Sequence, residues 1–322
     1  MLYLLYVPVL TIFLLFYFRL AVQYKIIDKP NQRSSHSRIT IRGAGIIFPI
    51  ALFLQFLISG FQYPLFSLGL MLISLISFYD DLHPISNKIR ILTHLIAVSL
   101  LFMEAGLINY SVWIIVLAFI FVIGTINAYN FMDGIDGMIA AYSLVTAISL
   151  LFINENIVGF IPSGWLTVSV IIIVVFGFFN FRVVAKCFAG DVGSVSMAFI
   201  LIFFILILIL RTEELKYIAL LLVYGLDSVT TIIFRILRRE NIFLAHRSHF
   251  YQYLANSRSW SHLGISILYA ITQFLINILI LQNFFDTNSF IILLIISGIA
   301  TISIRLLVEG KNYLLKMGYE NQ

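Results

Sequence analysis

The sequence predicts an all-α protein that crosses a membrane about eleven times. Of its 322 residues, 61% are hydrophobic and only 11% are charged, whereas a soluble domain is about half apolar and a quarter charged. The apolar residues form stretches close to the roughly 20 residues that a helix needs to cross a bilayer. If these stretches cross the membrane in turn, almost all basic residues lie on the same side of the membrane. We therefore expect a polytopic membrane protein with one integral domain, residues 1–322.

Eleven apolar stretches are candidate spans, and short polar loops separate most of them. In chain order they are residues 2–22, 44–60, 64–79, 90–108, 111–128, 137–153, 165–182, 194–210, 216–234, 262–282 and 289–308. The longer polar loops are residues 23–43 and 235–261. No charge precedes Arg19, which argues against a cleavable signal peptide and for an uncleaved first helix.

The basic residues orient the chain, because cytoplasmic loops of membrane proteins are enriched in Lys and Arg. With eleven spans and the N-terminus outside, 18 of the 20 basic residues lie on the inner side, and only Arg211 and Lys216 lie outside. The C-terminus is then cytoplasmic. The same threading places six aspartates at the cytoplasmic face: Asp28, Asp80, Asp81, Asp133, Asp136 and Asp191. All six histidines lie on or near that face, so we expect a site there for an anionic, metal-bound ligand.

The first acidic cluster is the pair Asp80 and Asp81, followed by Lys88. Adjacent carboxylates at a membrane edge repel each other unless a divalent cation or a cationic partner offsets them. Paired aspartates also occur without any function, so this pair alone leaves both interpretations open.

The second cluster runs from Asn127 to Gly137 and is the most informative. Its polar side chains recur every three residues, which places them along one face of a helix end; they are Asn127, Asn130, Asp133 and Asp136. Amide and carboxylate oxygens are hard ligands that suit Mg²⁺, and polar groups between apolar spans are costly without a role. The plainer alternative is a polar loop with helix caps.

The third cluster is the sequence Gly-Asp-Val-Gly-Ser at residues 190–194, which opens a predicted helix. Backbone N–H groups at a helix N-terminus bind phosphate, so Gly190 and Ser194 are candidate phosphate contacts and Asp191 is a candidate metal ligand. A simple capped turn is the alternative.

Two basic loops complete the set of candidate binding residues. The loop before the tenth span carries Arg235, Arg238 and Arg239 and then His246, Arg247 and His249, which suit a pyrophosphate or a base edge. Part of this charge reflects topology and contact with anionic lipid. The first inner loop carries Asp28, Arg33, His36 and Arg42.

Asp227 lies within the ninth span, where an acid is functional by default. An equally weighted alternative is that Asp227 only pairs with a buried Arg or hydroxyl group.

In this order, these blocks resemble the polyprenyl-phosphate N-acetylhexosamine-1-phosphate transferase family, also called glycosyltransferase family 4, from about residue 28 to 252. Its Asp-x-Pro-x-x-Arg-x-x-His, Asp-Asp and Asn-x-x-Asn-Phe-x-Asp-Gly-x-Asp-Gly motifs begin here at Asp28, Asp80 and Asn127. Its Phe-x-Gly-Asp-x-Gly-Ser motif spans residues 188–194. The His-Arg-Ser-His sequence at residues 246–249 is most similar to the branch that initiates O-antigen synthesis.

The chain departs from that branch at Ile39, Ile41 and Ala44, where two prolines and one glycine are usual. These exchanges predict a looser first loop. His94 and Ala189 replace a common Gln and Met. None of these departures removes a charged group or a metal ligand.

The resemblance implies a reaction between a UDP-N-acetylhexosamine and undecaprenyl phosphate that releases UMP, at the cytoplasmic face of the bacterial inner membrane. The implied cofactor is Mg²⁺, with Mn²⁺ as a substitute, held by Asn130 and Asp191. Asp80 would be the base or orienting group, supported by Asp81, and Lys88 would pair with a phosphate. Asp133 and Asp136 would orient the metal shell or the uridine. The candidate substrate-binding residues are Arg33, His36, Asn127, Gly190, Ser194, His246, Arg247 and His249.

The branch implies a 6-deoxy donor sugar such as N-acetylfucosamine or N-acetylquinovosamine, with UDP-N-acetylglucosamine as the alternative. The partners are then the nucleotide sugar, the lipid phosphate and the bilayer, with no nucleic acid; a homodimer stays open. A transporter or lipid flippase is the alternative of another class, but transporters place charges near the bilayer midplane and often contain repeats. A non-catalytic membrane scaffold would not need the aspartate clusters.

Overall fold

The computed structural model describes residues 2–28, 39–242, 244, 246–282 and 285–315, and this part of the chain is almost entirely helical. The long helices are α1 (Tyr6–Gln23), α2 (Ile47–Ile58), α3 (Pro64–Leu82), α4 (Asn87–Ala105), α5 (Val112–Met132), α6 (Met138–Asn156), α7 (Ser163–Asn180), α8 (Gly190–Thr212), α9 (Leu222–Leu237), α11 (His262–Ile280) and α12 (Thr287–Val308). The short helices are α10 (Phe250–Asn256) and α13 (Lys311–Leu315). Strands β1 (Ile27–Asp28) and β2 (Thr40–Ile41) pair antiparallel.

Each of the eleven predicted spans corresponds to one long helix, so the prediction of an all-α polytopic membrane protein is confirmed. Nine helices in the described part of the chain are long and apolar enough to cross a membrane. Of the other two, α2 belongs to a shorter apolar helix, Ala44–Ile58, and α4 carries Lys88, Arg90 and Glu104. The orientation of the chain in the membrane stays a prediction.

Helix α8 lies at the centre of the bundle. In its most apolar window 83% of the residues are buried, against 6% in α12. It packs against α2, α3, α4, α5 and α6. A helix that is apolar on all sides is expected in the interior, and from Val195 to Leu210 the only polar residue of α8 is Ser196. The central position brings the first turn of α8 next to the ends of several other helices.

The loop before α2 crosses the start of α8 at backbone contact distance. Ala44 N donates to Phe188 O at 3.1 Å and Gly45 N donates to Ala189 O at 3.0 Å. A Cβ atom at Gly45 would lie 2.1 Å from Gly193 Cα, so this crossing requires glycine. On its other edge the loop pairs with β1. The described residues 39–45 are thus tied on two sides, and the looser loop predicted from the exchanges at Ile39, Ile41 and Ala44 is not observed.

The ninth span is broken. It begins as a 3-10 helix, Leu215–Leu221, and continues as α9. Side chains of two neighbouring helices bind the backbone groups near the break. Gln273 of α11 donates to Ala219 O at 2.8 Å and accepts from Val223 N at 3.1 Å, and Thr146 of α6 donates to Leu220 O at 3.1 Å. These contacts meet the requirement that backbone polar groups inside a membrane be paired within the protein.

Candidate active site

Four aspartates from three segments meet at one end of the bundle. Asp80 and Asp81 lie in the last turn of α3, Asp133 directly follows α5, and Asp191 is the second residue of α8. The bundle places these helix ends side by side because α3 and α5 both pack against α8. The segments that carry the predicted acidic motifs are therefore neighbours in space.

Asp81 closes the N-terminus of α8. Its Oδ1 accepts from Asp191 N at 2.9 Å and its Oδ2 accepts from Val192 N at 3.0 Å. A carboxylate is stabilised at this position because the first N–H groups of a helix lack partners and carry partial positive charge. Its side chain is fully buried, so Asp81 holds the start of α8 rather than facing a ligand.

Two arginines link the carboxylates. Arg42 Nε lies 2.7 Å from Asp81 Oδ1, and its Nη2 lies 3.2 Å from Asp191 Oδ1. Arg90 Nη2 pairs with Asp80 Oδ2 and lies 3.9 Å from Asp191 Oδ2. Burial opposes the charge of Arg42, but the nearby carboxylates of Asp81 and Asp191 raise the pKa of its guanidinium.

The sequence placed Arg42 in a basic candidate loop without a role, and Arg90 was not among the candidate residues. Arg42 stands beside the glycines of the crossing loop, and Arg90 lies in the first turn of α4. Their position on the inner, basic side was visible in the sequence, but no local spacing connects them to the aspartates.

Asp133 has an unfavourable electrostatic environment. Burial raises the pKa of its carboxyl group well above the usual value, and the charges of Asp191 and Asp81 raise it further. The Gly190 amide and Arg42 oppose this effect. If all four aspartates are ionised, four negative charges face two guanidinium groups, which leaves a charge of −2 at this end of the bundle.

The amide residues of the second motif lie on α5 and differ in their contacts. Asn130 Oδ1 accepts from Ser194 Oγ at 2.8 Å, which ties the motif to the first turn of α8. Asn127 Nδ2 instead donates to Ile123 O of its own helix at 3.0 Å. Lys88 is exposed in the first turn of α4 and forms no ion pair with another described residue. The structure thus places Asn130 and Ser194 together, while Lys88 is not paired with the aspartates.

Asp136 is engaged by α11. Its Oδ2 lies 3.1 Å from His262 Nδ1, and Ser266 Oγ donates to its backbone carbonyl at 2.9 Å. His262 was also absent from the predicted site. Nearby, Asn180 accepts from Gly137 N at 3.1 Å and donates to Cys187 O at 3.0 Å, so it joins the second motif to the segment before α8.

The histidine loop lies against the end of α5. The ring centroids of His246 and His249 are 5.0 Å apart, and Phe131 lies 5.8 Å from His246 and 5.9 Å from His249. Tyr251 Oη donates to Phe131 O at 2.7 Å. Because Phe131 follows Asn130, the loop is adjacent to the second motif. Burial lowers the pKa of His246 to about 3, and the neighbouring His249 ring lowers it in the same direction.

The arginines of this loop mainly shape the loop itself. Arg235 and Arg238 both pair with Glu240, and Arg235 also donates to the carbonyl groups of Asn241 and Ile242. Arg247 is half-buried beside the two histidines. Of the remaining predicted binding residues, Arg33 and His36 lie outside the described residues.

In the described part of the chain, no three His, Cys, Asp or Glu side chains converge in a group that could hold a metal ion. The predicted ligands are one amide and one carboxylate: Asp191 is the second residue of α8, and Asn130 contacts the start of α8 through Ser194. A sparse set of oxygen donors is typical of Mg²⁺ sites, in which one or two carboxylates are combined with water and substrate phosphates.

Comparison with known proteins supports the family that the motifs resemble. Residues 63–209, which contain all four aspartates of the cluster, match the family model of glycosyl transferase family 4. A relative from Bacillus subtilis (strain 168), named "Probable undecaprenyl-phosphate N-acetylglucosaminyl 1-phosphate transferase", is 25% identical over 79% of this chain and 76% of its own length.

Two further proteins to which the chain is similar are both named "Undecaprenyl-phosphate alpha-N-acetylglucosaminyl 1-phosphate transferase". The protein from Thermotoga maritima is 33% identical over 44% of this chain and 49% of its own length. The protein from Yersinia pestis is 29% identical over 58% of this chain and 57% of its own length. The resemblance drawn from the motifs is confirmed at the level of the family.

Proposed function

We propose that this protein transfers an N-acetylhexosamine 1-phosphate from a UDP-sugar to undecaprenyl phosphate and releases UMP. The observation that carries the proposal is the cluster of Asp80, Asp81, Asp133 and Asp191 with Arg42 and Arg90 at the start of α8. It combines oxygen donors, guanidinium groups and a helix N-terminus, the three features that bind metal-complexed phosphates in proteins. The names of the three relatives support the same reaction.

The residues fit Mg²⁺ as the cofactor. An Asp and an Asn side chain supply hard oxygen atoms, and a divalent cation would balance the charge of −2 that the cluster carries when all four aspartates are ionised. We propose that Asn130 and Asp191 hold this ion. The ion would neutralise charge on the donor diphosphate, which is a main requirement of phosphoryl transfer.

The contacts divide the remaining tasks among the aspartates. Asp80 contacts Arg90 and the Ile85 amide, and we assign it to orient the lipid phosphate or accept its proton. Arg42 and Arg90 would exchange part of their contacts with Asp191 for contacts with substrate phosphates. Asp133 and Asp136 remain candidates for orienting the metal shell or the uridine.

The prenyl chain needs an apolar surface that leads away from this cluster. A cavity of about 700 Å³ lies between α5 and α8, and Ile202, Ile205 and Leu206 are among its lining residues. Ile202 follows Asp191 by eleven residues on α8, a distance of about 16 Å at 1.5 Å per residue. We propose that part of the lipid chain occupies this cavity while its phosphate is at the cluster.

We propose two classes of donor sugar, each favoured by a different observation. The names of the relatives favour UDP-N-acetylglucosamine, so this donor is the first to test. The His-Arg-Ser-His sequence at residues 246–249 favours a 6-deoxy donor, UDP-N-acetylfucosamine or UDP-N-acetylquinovosamine, and a role in O-antigen or another surface polysaccharide. In both cases the site would lie at the cytoplasmic face of the inner membrane, because nucleotide sugars are available in the cytoplasm.

Transport is the competing function because broken spans also occur in transporters. Here the described backbone groups at the break in the ninth span are bound by Gln273, Thr146 and Tyr142, which leaves them paired within the protein. The ionisable cluster instead lies at the helix ends. This arrangement favours an enzyme.

The test measures UMP release by the purified protein in detergent with undecaprenyl phosphate and Mg²⁺. The donors are UDP-N-acetylglucosamine, UDP-N-acetylgalactosamine, UDP-N-acetylfucosamine and UDP-N-acetylquinovosamine. We expect release with one donor that requires both lipid and metal, and a loss of about 100-fold or more in Asp191→Asn, as for removal of one preorganised charge-stabilising group. Folded protein that releases no UMP with any donor would contradict the proposal, and substrate uptake by proteoliposomes would then test transport.

A further inference from the structure

Asp227 is an acid inside the ninth span that the proposed reaction does not use. It lies in α9, and its side chain is only 3% exposed. An ionised carboxylate is costly in such a place unless other groups bind it. The contacts of Asp227 therefore indicate what this residue does.

The carboxylate binds the histidine loop through three consecutive residues. Its Oδ1 lies 3.3 Å from His249 Nδ1 and accepts from Phe250 N at 2.9 Å. Its Oδ2 accepts from Tyr251 N at 3.3 Å. Asp227 thus binds both the ring of His249 and the first amides of α10, so it fixes the position and the rotation of this ring together.

Residues of α11 and α12 form hydrogen bonds with Asp227 and with the groups around it. Tyr269 Oη of α11 donates to Asp227 Oδ2 at 2.7 Å. Arg305 of α12 donates to Thr231 Oγ1 at 2.8 Å and to Ser248 O at 2.8 Å, directly before His249. Thr231 Oγ1 in turn donates to Asp227 Oδ1 at 3.2 Å. The arrangement is more extensive than a single buried ion pair would need.

The other nitrogen of the same ring has no partner. His249 Nε2 is buried and makes no hydrogen bond with the described residues. The whole residue is likewise buried, with only 2% of its surface exposed. Buried polar atoms are nearly always paired, and an exception indicates a missing water, ion or ligand. The ring lies beside Phe131 and His246, next to the motif that carries Asn130.

We propose that Asp227 is a positioning residue that holds the proton of His249 on Nδ1 and thereby presents Nε2 to the sugar diphosphate of the donor. A hydrogen bond to one imidazole nitrogen determines which tautomer is present and what the other nitrogen can bind. Because Nε2 is buried, the substrate reaches it only after a neighbouring side chain moves. This inference rests on the proposed transfer reaction and assigns one group of its donor site.

The kinetic test is a double-mutant cycle of Asp227→Ala and His249→Ala, with UMP release as the readout. In the wild-type background Asp227→Ala should lower kcat/KM by about 10- to 100-fold, as is common for groups that orient a ligand-binding histidine. In the His249→Ala background the same change should have an effect of less than about 3-fold, because its target is gone. Equal losses in the two backgrounds would show that Asp227 only supports the fold and would overturn the proposal.

Two further variants separate positioning from folding. Tyr253→Phe is the matched control, since it removes a hydroxyl of α10 that donates to Val308 O at 3.3 Å and leaves the contacts of Asp227 intact; we expect kcat/KM within about 3-fold of the wild type. Asp227→Asn keeps an oxygen acceptor and should recover part of the activity lost in Asp227→Ala. A loss in Tyr253→Phe as large as that in Asp227→Ala would contradict the proposal.

A measurement without turnover distinguishes this inference from the proposed function. In protein labelled with ¹⁵N-histidine, the His249 signals, assigned by their loss in His249→Ala, should show protonated Nδ1. In Asp227→Ala they should move toward the Nε2-protonated tautomer. An unchanged tautomer would overturn the positioning role, whatever the activity. Absence of UMP release from wild-type protein with every donor would instead contradict the proposed function, and the tautomer would still decide the role of Asp227.

Discussion

Arg42 and Arg90 determine the state of the carboxylate cluster at the level of single residues. Together they contact three of its four aspartates, and Arg42 joins Asp81 of α3 to Asp191 of α8. Both guanidinium groups lie near the carboxylate of Asp191, at 3.2 Å for Arg42 and 3.9 Å for Arg90. The two arginines therefore stabilise the cluster before substrate binds.

A first prediction concerns Arg42. Arg42→Gln should lower the midpoint of thermal unfolding and reduce UMP release by about 100-fold, the range typical of losing one preorganised charge. Arg42→Lys should fall between this variant and the wild type, because an ammonium group keeps the charge but cannot make the two-pronged contact. Arg182→Gln is the control: Arg182 stacks on Phe178 outside the cluster, and its activity should be unchanged. Full activity in Arg42→Gln would contradict the assigned role.

A second prediction follows from the raised pKa of Asp133. The charged form is disfavoured in the folded chain, so its cost is absent below about pH 4, the ordinary value for Asp, and grows as pH rises toward the higher folded-state value. In metal-free buffer, Asp133→Asn should therefore raise the unfolding midpoint at pH 7 and leave it unchanged near pH 4. UMP release should fall strongly. A variant that is less stable than the wild type at pH 7 would show that the carboxylate is a favourable contact.

The sequence predicted the aspartates but not their partners. Asp133 and Asp191 belong to short motifs whose composition is unusual between apolar spans, whereas the pair Asp80 and Asp81 alone left both interpretations open. Arg42 contacts aspartates 39 and 149 residues away, and the pair Asp136 and His262 is separated by 126 residues. Such pairs depend on which helices are neighbours, and one sequence does not contain that information. For Asp227 the residues left two interpretations open, and the structure shows pairing with a histidine, hydroxyl groups and backbone amides.

At the level of elements, the crossing of the first loop over α8 fixes the cluster in place. Gly45 and Gly193 are in contact through their Cα atoms, and the hydrogen bonds of Ala44 and Gly45 hold the loop to the segment before α8. This crossing positions Arg42 above the helix start. Ala44 of the same loop is fully buried, so a methyl group is accommodated at this position.

A third prediction tests this crossing. Gly45→Ala should strongly destabilise the protein and abolish UMP release, because its methyl group would overlap the backbone of Gly193 and Ala189. The matched control is Gly298→Ala in α12, where the added atom meets nothing within 4 Å and should stabilise the helix by about 0.5–1 kcal/mol. Thermal unfolding in the same detergent compares the two variants. Similar behaviour of both would show that the crossing is not a tight contact.

Hydropathy located every long helix but not the break in the ninth span. All eleven predicted stretches overlap observed helices because apolar length alone identifies a span. The 3-10 segment Leu215–Leu221 contains neither proline nor glycine, so nothing local predicted a break there. The side chains that bind its backbone come from α6 and α11, which explains why reading the span by itself could not find it.

At the level of the whole molecule, the two ends of the bundle differ in chemistry. One end holds the aspartate cluster, the crossing loop and the histidine loop. Starting from the cluster, α8 runs the length of the bundle to Thr212, and Glu213 and Leu215 just beyond it line the apolar cavity. The end that holds the cluster is the end that the basic residues predict to be cytoplasmic. The orientation of the two ends can be tested directly.

A fourth prediction concerns that orientation. Cys187 is the only cysteine in the sequence, so a Cys187→Ala variant provides a cysteine-free background. A cysteine placed at Val183, which is 85% exposed near the cluster, should react with a membrane-impermeant maleimide only in inverted vesicles. A cysteine at Ile157, which is 50% exposed at the opposite end of α6, should react from outside intact cells. The reverse pattern would invert the predicted topology.

The broken ninth span also constrains how the chain is assembled during synthesis. Its 3-10 segment enters the membrane before α11 has been made, yet Gln273 of α11 supplies two of its backbone contacts. Until then these groups must stay near water or bind a temporary partner, because unpaired backbone groups are costly in lipid. A ribosome-bound chain that ends before residue 262 would hold this segment in an unfinished state. The pairing of these backbone groups is therefore completed only after the tenth span has been made.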